Sequence, residues 1–200
     1  MGIRASTEAK LLDAADELFF CHGISATPID AVLARAGVSA ATLYRAYASK
    51  EALVAAALER RQRAWLDVWN QAISRADTPR GKLLAVFDAL DEFRSRPDGS
   101  RWCAFLGSAA EYADPPDEIR QAVARDTDTL RAGLLHLAEP VVGHRAPQLA
   151  DELLLVVSGE LAMRLRNPHH RSTASRSIAT ALIERNEPDS PPNGSPSDGA

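Results

Sequence analysis

The chain has 200 residues, 46% of them hydrophobic, and a formal charge of −4. That apolar content supports one ordinary core, or a small domain joined to a larger one, and no apolar run reaches the length of a membrane span. The start, MGIRASTEAK, lacks an apolar signal-peptide core, and the two cysteines, Cys21 and Cys103, suit a reducing compartment better than a disulfide framework. A cytoplasmic location away from any membrane is expected.

Glycine, proline and capping residues divide the sequence into about nine helices with no alternating strand pattern, so the expected fold class is all-α. The first helix, over 7–21, sets Leu11, Leu12, Ala15, Leu18 and Phe19 at helical spacing. Residues 27–50, TPIDAVLARAGVSAATLYRAYASK, follow as two short helices over 28–35 and 39–45, with a third beginning at 50. Thr27 is a cap candidate with Pro28 in the first turn, Gly37 gives freedom for a sharp turn, and Ser39 and Ser49 cap the next two helices. Two helices meeting steeply across a short glycine turn form a DNA-reading unit, whose second helix enters the major groove.

A long helix over 50–75 carries Val54, Leu58, Trp65, Val68, Trp69 and Ile73 on one side, long enough to leave a small first domain near residue 58 and enter a second. The helix over 80–95 has Leu83, Leu84, Phe87, Leu90 and Phe93, and Pro97-Asp98-Gly99 is a turn. A shorter helix over 101–113 ends at Asp114-Pro115-Pro116. Ile119, Val123, Leu130, Leu134 and Leu137 mark one face of a long helix that stops at Pro140. The helix over 147–166 contains Leu149, Leu153, Leu154, Val157, Leu161 and Leu165 and breaks at Asn167-Pro168; a weaker helix over 171–186 contains Ile178, Leu182 and Ile183. Residues 187–200 have no apolar anchor and are expected to be disordered. The expected organisation is residues 1–58, 59–186 and a tail of 187–200.

Several linked elements make the first segment specific. Ala15, Leu18, Phe19 and Gly23 precede Ala36-Gly37-Val38-Ser39, then Thr42-Leu43-Tyr44, then Ser49-Lys50-Glu51 with Leu53. In this set and spacing the chain resembles a TetR-family transcriptional regulator over residues 7–58. The resemblance implies a homodimeric repressor that binds a palindromic double-stranded operator and is released by a small-molecule inducer. It implies no enzyme activity and no cofactor.

Charge alone does not announce DNA binding. Residues 1–60 hold Arg4, Lys10, Arg35, Arg45, Lys50 and Arg60 against Glu8, Asp13, Asp16, Glu17, Asp30, Glu51 and Glu59. Binding would rest on a few placed contacts and on helix N-termini aimed at phosphates. The candidates are Thr27, Ser39, Ala40, Ala41, Thr42, Tyr44, Arg45 and Lys50. By resemblance Thr27 caps and touches a phosphate, Tyr44 reaches a phosphate with its hydroxyl, and a phosphate compensates for Lys50 at a helix start. Tyr44 can also be read as a packing ring, and Lys50 as solvated. The small residues at 39–42 suit thymine methyls and several base edges, and Arg45 is open between guanine and phosphate. Ala41 and Ala46 stand where the family commonly has a glycine and an aromatic or histidine. Leu43 and Tyr47 read as core.

The second segment resembles the family more loosely, through RPDGSRWCAFLGSAAEYADP. By analogy Trp102, Cys103, Phe105, Leu106 and Tyr112 lie near a pocket for an apolar or amphipathic ligand, with Trp65, Trp69, Phe87 and Phe93 on the preceding helices. Plain core is the competing reading. Cys103 as a redox or electrophile sensor needs an exposed, low-pKa thiol. The last two helices resemble a dimer-forming pair, with Leu153, Val157, Leu161, Ile178 and Leu182 as interface candidates; Ser158-Gly159 permits close approach, and Glu160 and Arg164 form an i, i+4 pair. Ordinary packing within the chain is the alternative. His136 reads as core or interface. The histidines show no metal-ligand spacing, and no serine has a nucleophile context. Two other classes stay open: a helical enzyme using the second cavity, and a regulator that works without a ligand, which a cavity too small for a metabolite would favour.

Overall fold

The computed structural model describes residues 4–96, 103–167 and 169–188. Among the described residues the chain is all-α. The helices are α1 (Ala5–His22), α2 (Ile29–Ala36), α3 (Ala40–Ala46), α4 (Lys50–Ser74), α5 (Pro79–Ser95), α6 (Ala104–Glu111), α7 (Asp117–Val142), α8 (Ala146–Arg166) and α9 (Thr173–Asn186), with a 3-10 turn at Gly143–Arg145 before α8. The turn expected at Pro97-Asp98-Gly99, the break at Pro168 and residues 189–200 of the tail lie outside the described residues.

The helix starts follow local chemistry. Ser39 Oγ accepts the Thr42 N–H at 3.3 Å, and Ser49 Oγ accepts the Ala52 N–H at 3.0 Å. Each satisfies a donor that the first helical turn leaves without a partner. Gly37 ends α2 in the left-handed region (φ 65°, ψ 39°), where an L side chain is strained. Its N–H and that of Val38 close back onto Ala34 and Leu33 carbonyls, and the chain turns directly into α3.

Three expectations need correction. Thr27 does not cap α2. Its hydroxyl donates to the Gly23 carbonyl at 2.7 Å and lies 3.2 Å from the Leu18 carbonyl, tying the end of α1 to the start of α2, and Pro28 holds the cap position. The helix expected over 101–113 is shorter, Ala104–Glu111, because Tyr112 turns extended ahead of the Asp114-Pro115-Pro116 segment. Pro140 does not end its helix, which continues to Val142. The hydrogen bond that proline removes would have gone to the carbonyl of His136, an exposed residue in the last two turns of the helix, where solvent can reach it.

Two apolar clusters make the core. The first gathers Leu11, Phe19, Val32, Leu43, Leu53 and Leu58, and it also takes in Ala104, Phe105, Ile119 and Ala122 from α6 and α7. The second gathers Val68, Trp69, Phe87, Leu90, Leu134, Leu149 and Ile183. Two helices contribute to both: α4 gives Leu53–Leu58 to the first and Val68–Ala72 to the second, and α7 gives Ile119 and Ala122 to the first and Leu134, Ala138 and Val142 to the second.

Glu160 and Arg164 do pair at i, i+4, with Nε 2.9 Å from Oε1, but inside the chain and not on a surface. Both are under 5% exposed. Arg164 also donates to the Leu90 carbonyl, Asp91 and Ser172, while Glu160 accepts from Ser175 at 2.6 Å and lies 2.8 Å from His170 Nε2. Burial pushes the Glu160 carboxyl up, yet the bonds from Ser175, Arg164 and His170 outweigh it and hold it below its usual range. This network fixes α5 and α9 against α8. Arg164→Met leaves the Glu160 carboxylate buried without its guanidinium, and is expected to lower stability by about 3–5 kcal/mol, read by urea denaturation of the full chain.

Candidate functional site

The α3 helix presents Ser39, Ala40, Ala41, Tyr44 and Arg45 to solvent, with Thr42 half-buried and Leu43 turned into the core. Tyr44 is 52% exposed, so it is no packing ring within the chain. Arg45 makes no hydrogen bond or ion pair among the described residues. No acid lies between residues 31 and 50. The carboxylates of α1 are largely neutralised elsewhere: Asp13 pairs with Arg60 at 2.7 Å, Asp16 with Arg61 at 2.6 Å and Glu17 with Arg35 at 2.7 Å. The domain's net negative count therefore does not describe the α3 face. Ser39 Oγ and Thr42 Oγ1 share a 2.9 Å hydrogen bond, so each hydroxyl is already oriented.

Two candidates stand differently from the others. Thr27 is buried and gives its proton to a carbonyl, leaving no hydroxyl donor for a phosphate. Lys50 Nζ donates to the Ile24 carbonyl at 2.5 Å and sits 5.6 Å from the centre of the Phe19 ring. Its charge at the start of α4 is thus compensated from within the chain. Tyr47 is core, with its hydroxyl 3.2 Å from Glu8 Oε1; burial and the Glu8 charge push its pKa up to about 12.

The turn after α1 is held from a second side. Glu111, the last residue of α6, accepts the Ile24 N–H at 2.8 and 2.9 Å and the Ser25 N–H at 3.3 Å. Gly23 precedes them at φ 95°, and a Cβ there would lie 2.6 Å from Glu111 Oε1. Only glycine fits both the backbone and the close carboxylate. Glu111 carries no sequence signal, since its partners are 86 and 87 residues away.

The other end of α6 borders a partly open cavity of about 70 Å³ lined by α4, α5, α6, α7 and α8. Of the expected pocket residues, Trp65, Phe93, Cys103 and Phe105 line it. Trp69 does not: it stacks on Trp65 at 6.1 Å and faces a separate open groove between α4 and α7. Phe87 is 1% exposed in the second cluster, and Tyr112 packs on the first cluster. Both point away because α5 and the end of α6 turn those positions toward neighbouring helices. Leu106 is exposed on the outer side of α6, and Trp102 lies outside the described residues. Burial pushes the Cys103 thiol up to about 11, against the opposing backbone N–H groups of Leu106 and Phe105. It stays protonated at neutral pH, which argues against a reactive thiolate.

Four charged side chains also line this cavity, and the sequence pattern had singled out only Arg164, as part of the i, i+4 pair. Arg61 is bound to Asp16, Arg94 Nη1 donates to the His170 carbonyl at 2.8 Å, and Arg164 is bound to Glu160 and Asp91. Asp126 on α7 has no hydrogen-bond or ion-pair partner among the described residues, and burial pushes its carboxyl up to about 6. It falls between Val123 and Leu130 in the apolar stripe of α7, a signal that could have marked it. Among the described residues no three His, Cys, Asp or Glu side chains gather as a metal site.

The candidate dimer residues divide in two. Leu153 and Val157 are 1% exposed and face the chain's own second cluster, so they cannot meet a partner. Leu161 and Leu182 are half-buried, and Ile178 is 54% exposed. The outward faces instead carry Leu155, at 73% exposure, Ser158 and Gly159 on α8, and Ala174, Ile178 and Ala181 on α9. A Cβ at Gly159 would meet nothing within 4 Å. His136 is exposed on α7, 3.8 Å from Glu139, and is not core.

The model for bacterial regulatory proteins of the tetR family matches residues 11–57. A TetR-family transcriptional regulator from Streptomyces coelicolor is 27% identical, superposes with a TM-score of 0.81, and the match covers 92% of this chain and 97% of that one. A putative tetR-family regulator from Streptomyces avermitilis is 26% identical at a TM-score of 0.77, covering 90% and 97%. A TetR-family regulator from Cytophaga hutchinsonii, at 16% identity, a TM-score of 0.78 and coverage of 95% and 100%, shares the fold. No curated protein matches the sequence. No helix among the described residues is long and apolar enough to cross a membrane. Residues 11–57 carry the tetR-family helix-turn-helix domain, and over about nine-tenths of its length the chain is similar to TetR-family transcriptional regulators, which supports DNA-binding regulation.

Proposed function

We propose that the protein is a homodimeric repressor that sets α3 of each subunit into a major groove of a palindromic operator and leaves it when a small molecule enters the cavity behind α6. The observation that carries the DNA reading is the exposed, acid-free α3 face with Tyr44 and Arg45 free to reach a partner. Residues 1–58 act as the reading domain and 59–186 as the effector and dimer domain, in the cytoplasm, where the operator is. The two reading helices then fall about one helical turn of DNA apart, roughly 34 Å.

Backbone positioning falls to Tyr44, to the exposed N-terminus of α3 capped by Ser39, and to the two Lys50 donors that the Ile24 carbonyl leaves over. Base reading falls to Ala40, Ala41 and Thr42 for thymine methyls and to Arg45 for guanine. The dimer forms through Leu155, Gly159, Leu161, Ile178, Ala181 and Leu182, a small-and-large pattern that lets helices approach closely. The protein is not an enzyme: the cavity's one carboxylate has no second acid beside it, and burial pushes the pKa of the neighbouring Cys103 thiol up to about 11.

Coupling runs through two parts. The helix α4 is rigid and belongs to both cores, and α6 touches the cavity at Cys103–Phe105 and the reading domain at Glu111. A molecule that fits only when α6 moves outward also moves the Glu111 carboxylate, and with it the turn at Ile24 that fixes α1 against α2. The ligand must favour the displaced state over the DNA-bound one, or nothing shifts. The cavity volume favours a second reading. At about 70 Å³ it is well below the roughly 300–1,000 Å³ of ordinary ligand sites, which suits a regulator that works without a small molecule.

Binding of wild type and variants to a randomised duplex pool tests the DNA contacts. Tyr44→Phe is expected to weaken binding on every sequence by about ten-fold, whereas Arg45→Ala relaxes preference at one base pair of each half-site, a loss of about 1–3 kcal/mol there. Equal losses on all sequences for Arg45→Ala would make it a phosphate contact. For the coupling, Glu111→Gln is expected to speed amide exchange at Ile24 and Ser25 by about ten-fold, the loss of a charge-assisted bond. Unchanged exchange would remove Glu111 from the route.

A further inference from the structure

The cavity's four charged side chains are not equivalent. Arg61 lies within 2.6 Å of Asp16, Arg164 is held by Glu160 and Asp91, and Arg94 is held by a backbone carbonyl. Each guanidinium already has acceptors, and those from α4 and α8 have carboxylates. Asp126, contributed by α7, has none of the opposite kind. A desolvated carboxylate without a donor raises the free energy of the protein, and a ligand donor placed against it removes that penalty.

The uncharged wall has a matching character. Trp65 and Phe93 meet edge to face with centroids 5.8 Å apart, and Phe105 closes the side formed by α6. Aromatic faces attract cations through their quadrupole, more strongly once water is excluded. The chain uses that attraction already: the Arg61 guanidinium lies 5.9 Å from the Phe93 ring centre and 5.5 Å from that of Phe20. An unpaired carboxylate and electron-rich rings on one small cavity both select positive charge on an apolar body.

We propose that this cavity receives an organic cation, with an ammonium or amidinium head against the Asp126 carboxylate and an aromatic or aliphatic body among Trp65, Phe93 and Phe105. The inference rests on the effector-cavity reading above and names the ligand class for that site. A molecule of this kind exceeds the present volume, so it enters only as α6, the shortest wall, gives way. The cation is therefore bound best in the conformation that disturbs the Glu111 grip.

The test is calorimetry on the full-length protein with three probes of nearly equal shape: 2-phenylethylammonium, 2-phenylethanol and 3-phenylpropanoate. The cation is expected to bind tighter than the other two by about ten-fold or more. Asp126→Asn, which keeps size and shape, should erase that preference without weakening the alcohol. The preference should also shrink as pH falls through about 6, where Asp126 takes up its proton; the charged or titratable groups that share the cavity wall with it are Arg61, Arg94, Cys103 and Arg164. Equal binding of all three probes, preference for the anion, or an Asp126→Asn variant that still prefers the cation would overturn the proposal while leaving the effector cavity in place. Absence of binding by every probe to millimolar concentration would overturn the effector reading as well.

Discussion

The constraint on which the rest depends is that α4, the helix that follows the helix-turn-helix, belongs to two cores, with α7 spanning both beside it. The 25 residues of α4 extend about 37 Å at 1.5 Å per residue. Its first half is locked by Leu53, Val54, Ala57 and Leu58, and its second by Val68, Trp69 and Ala72. Neither half can rotate without repacking a dense interior, which resists gradual deformation. Arg61 stands between the halves, 7% exposed, bound to Asp16 on one side and bordering the cavity on the other. In the coupling proposed above, this helix is the rigid lever that carries position between the cavity and the reading helix.

A lever needs a second attachment to turn displacement into a change of angle. The α6 helix supplies it. Eight residues long, it places Phe105 at the cavity and Glu111 at the turn after α1. Lys50, from the start of α4, donates to the Ile24 carbonyl while Glu111 accepts the Ile24 N–H. Both sides of one peptide segment are thus gripped by side chains from two of the helices that border the cavity. Relative movement of α4 and α6 must pull on that segment.

The readable part of this arrangement was local. Gly37, Ser39 and Ser49 act on backbone within a few residues, so their spacing announces a turn and two helix starts. Apolar spacing likewise marked the helices of the second core, although Pro140 misled because a proline in the last exposed turn removes only a bond that water can replace. What the sequence concealed was long-range. Nothing near Thr27 reveals that the Gly23 and Leu18 carbonyls take its hydroxyl, and nothing near Lys50 reveals Ile24. The pair Glu160 and Arg164 looked like a surface pair because i, i+4 spacing is the same on a wet and a dry face. Leu153 and Val157 looked like interface for the same reason; only packing shows that Leu155 points outward. Asp126 was half-legible, a single acid in an apolar stripe whose burial no spacing could give.

Selection of bound fragments from the source organism's genomic DNA by the purified full-length protein, at moderate salt, tests the DNA-reading assignment most directly. Recovery of a palindromic motif with half-sites about one helical turn apart is expected, and its loss when the selection is repeated with Arg45→Ala and Tyr44→Phe combined. Fragments sharing no motif, held only weakly and released by modest salt, would contradict the assignment of α3 as a sequence-reading helix.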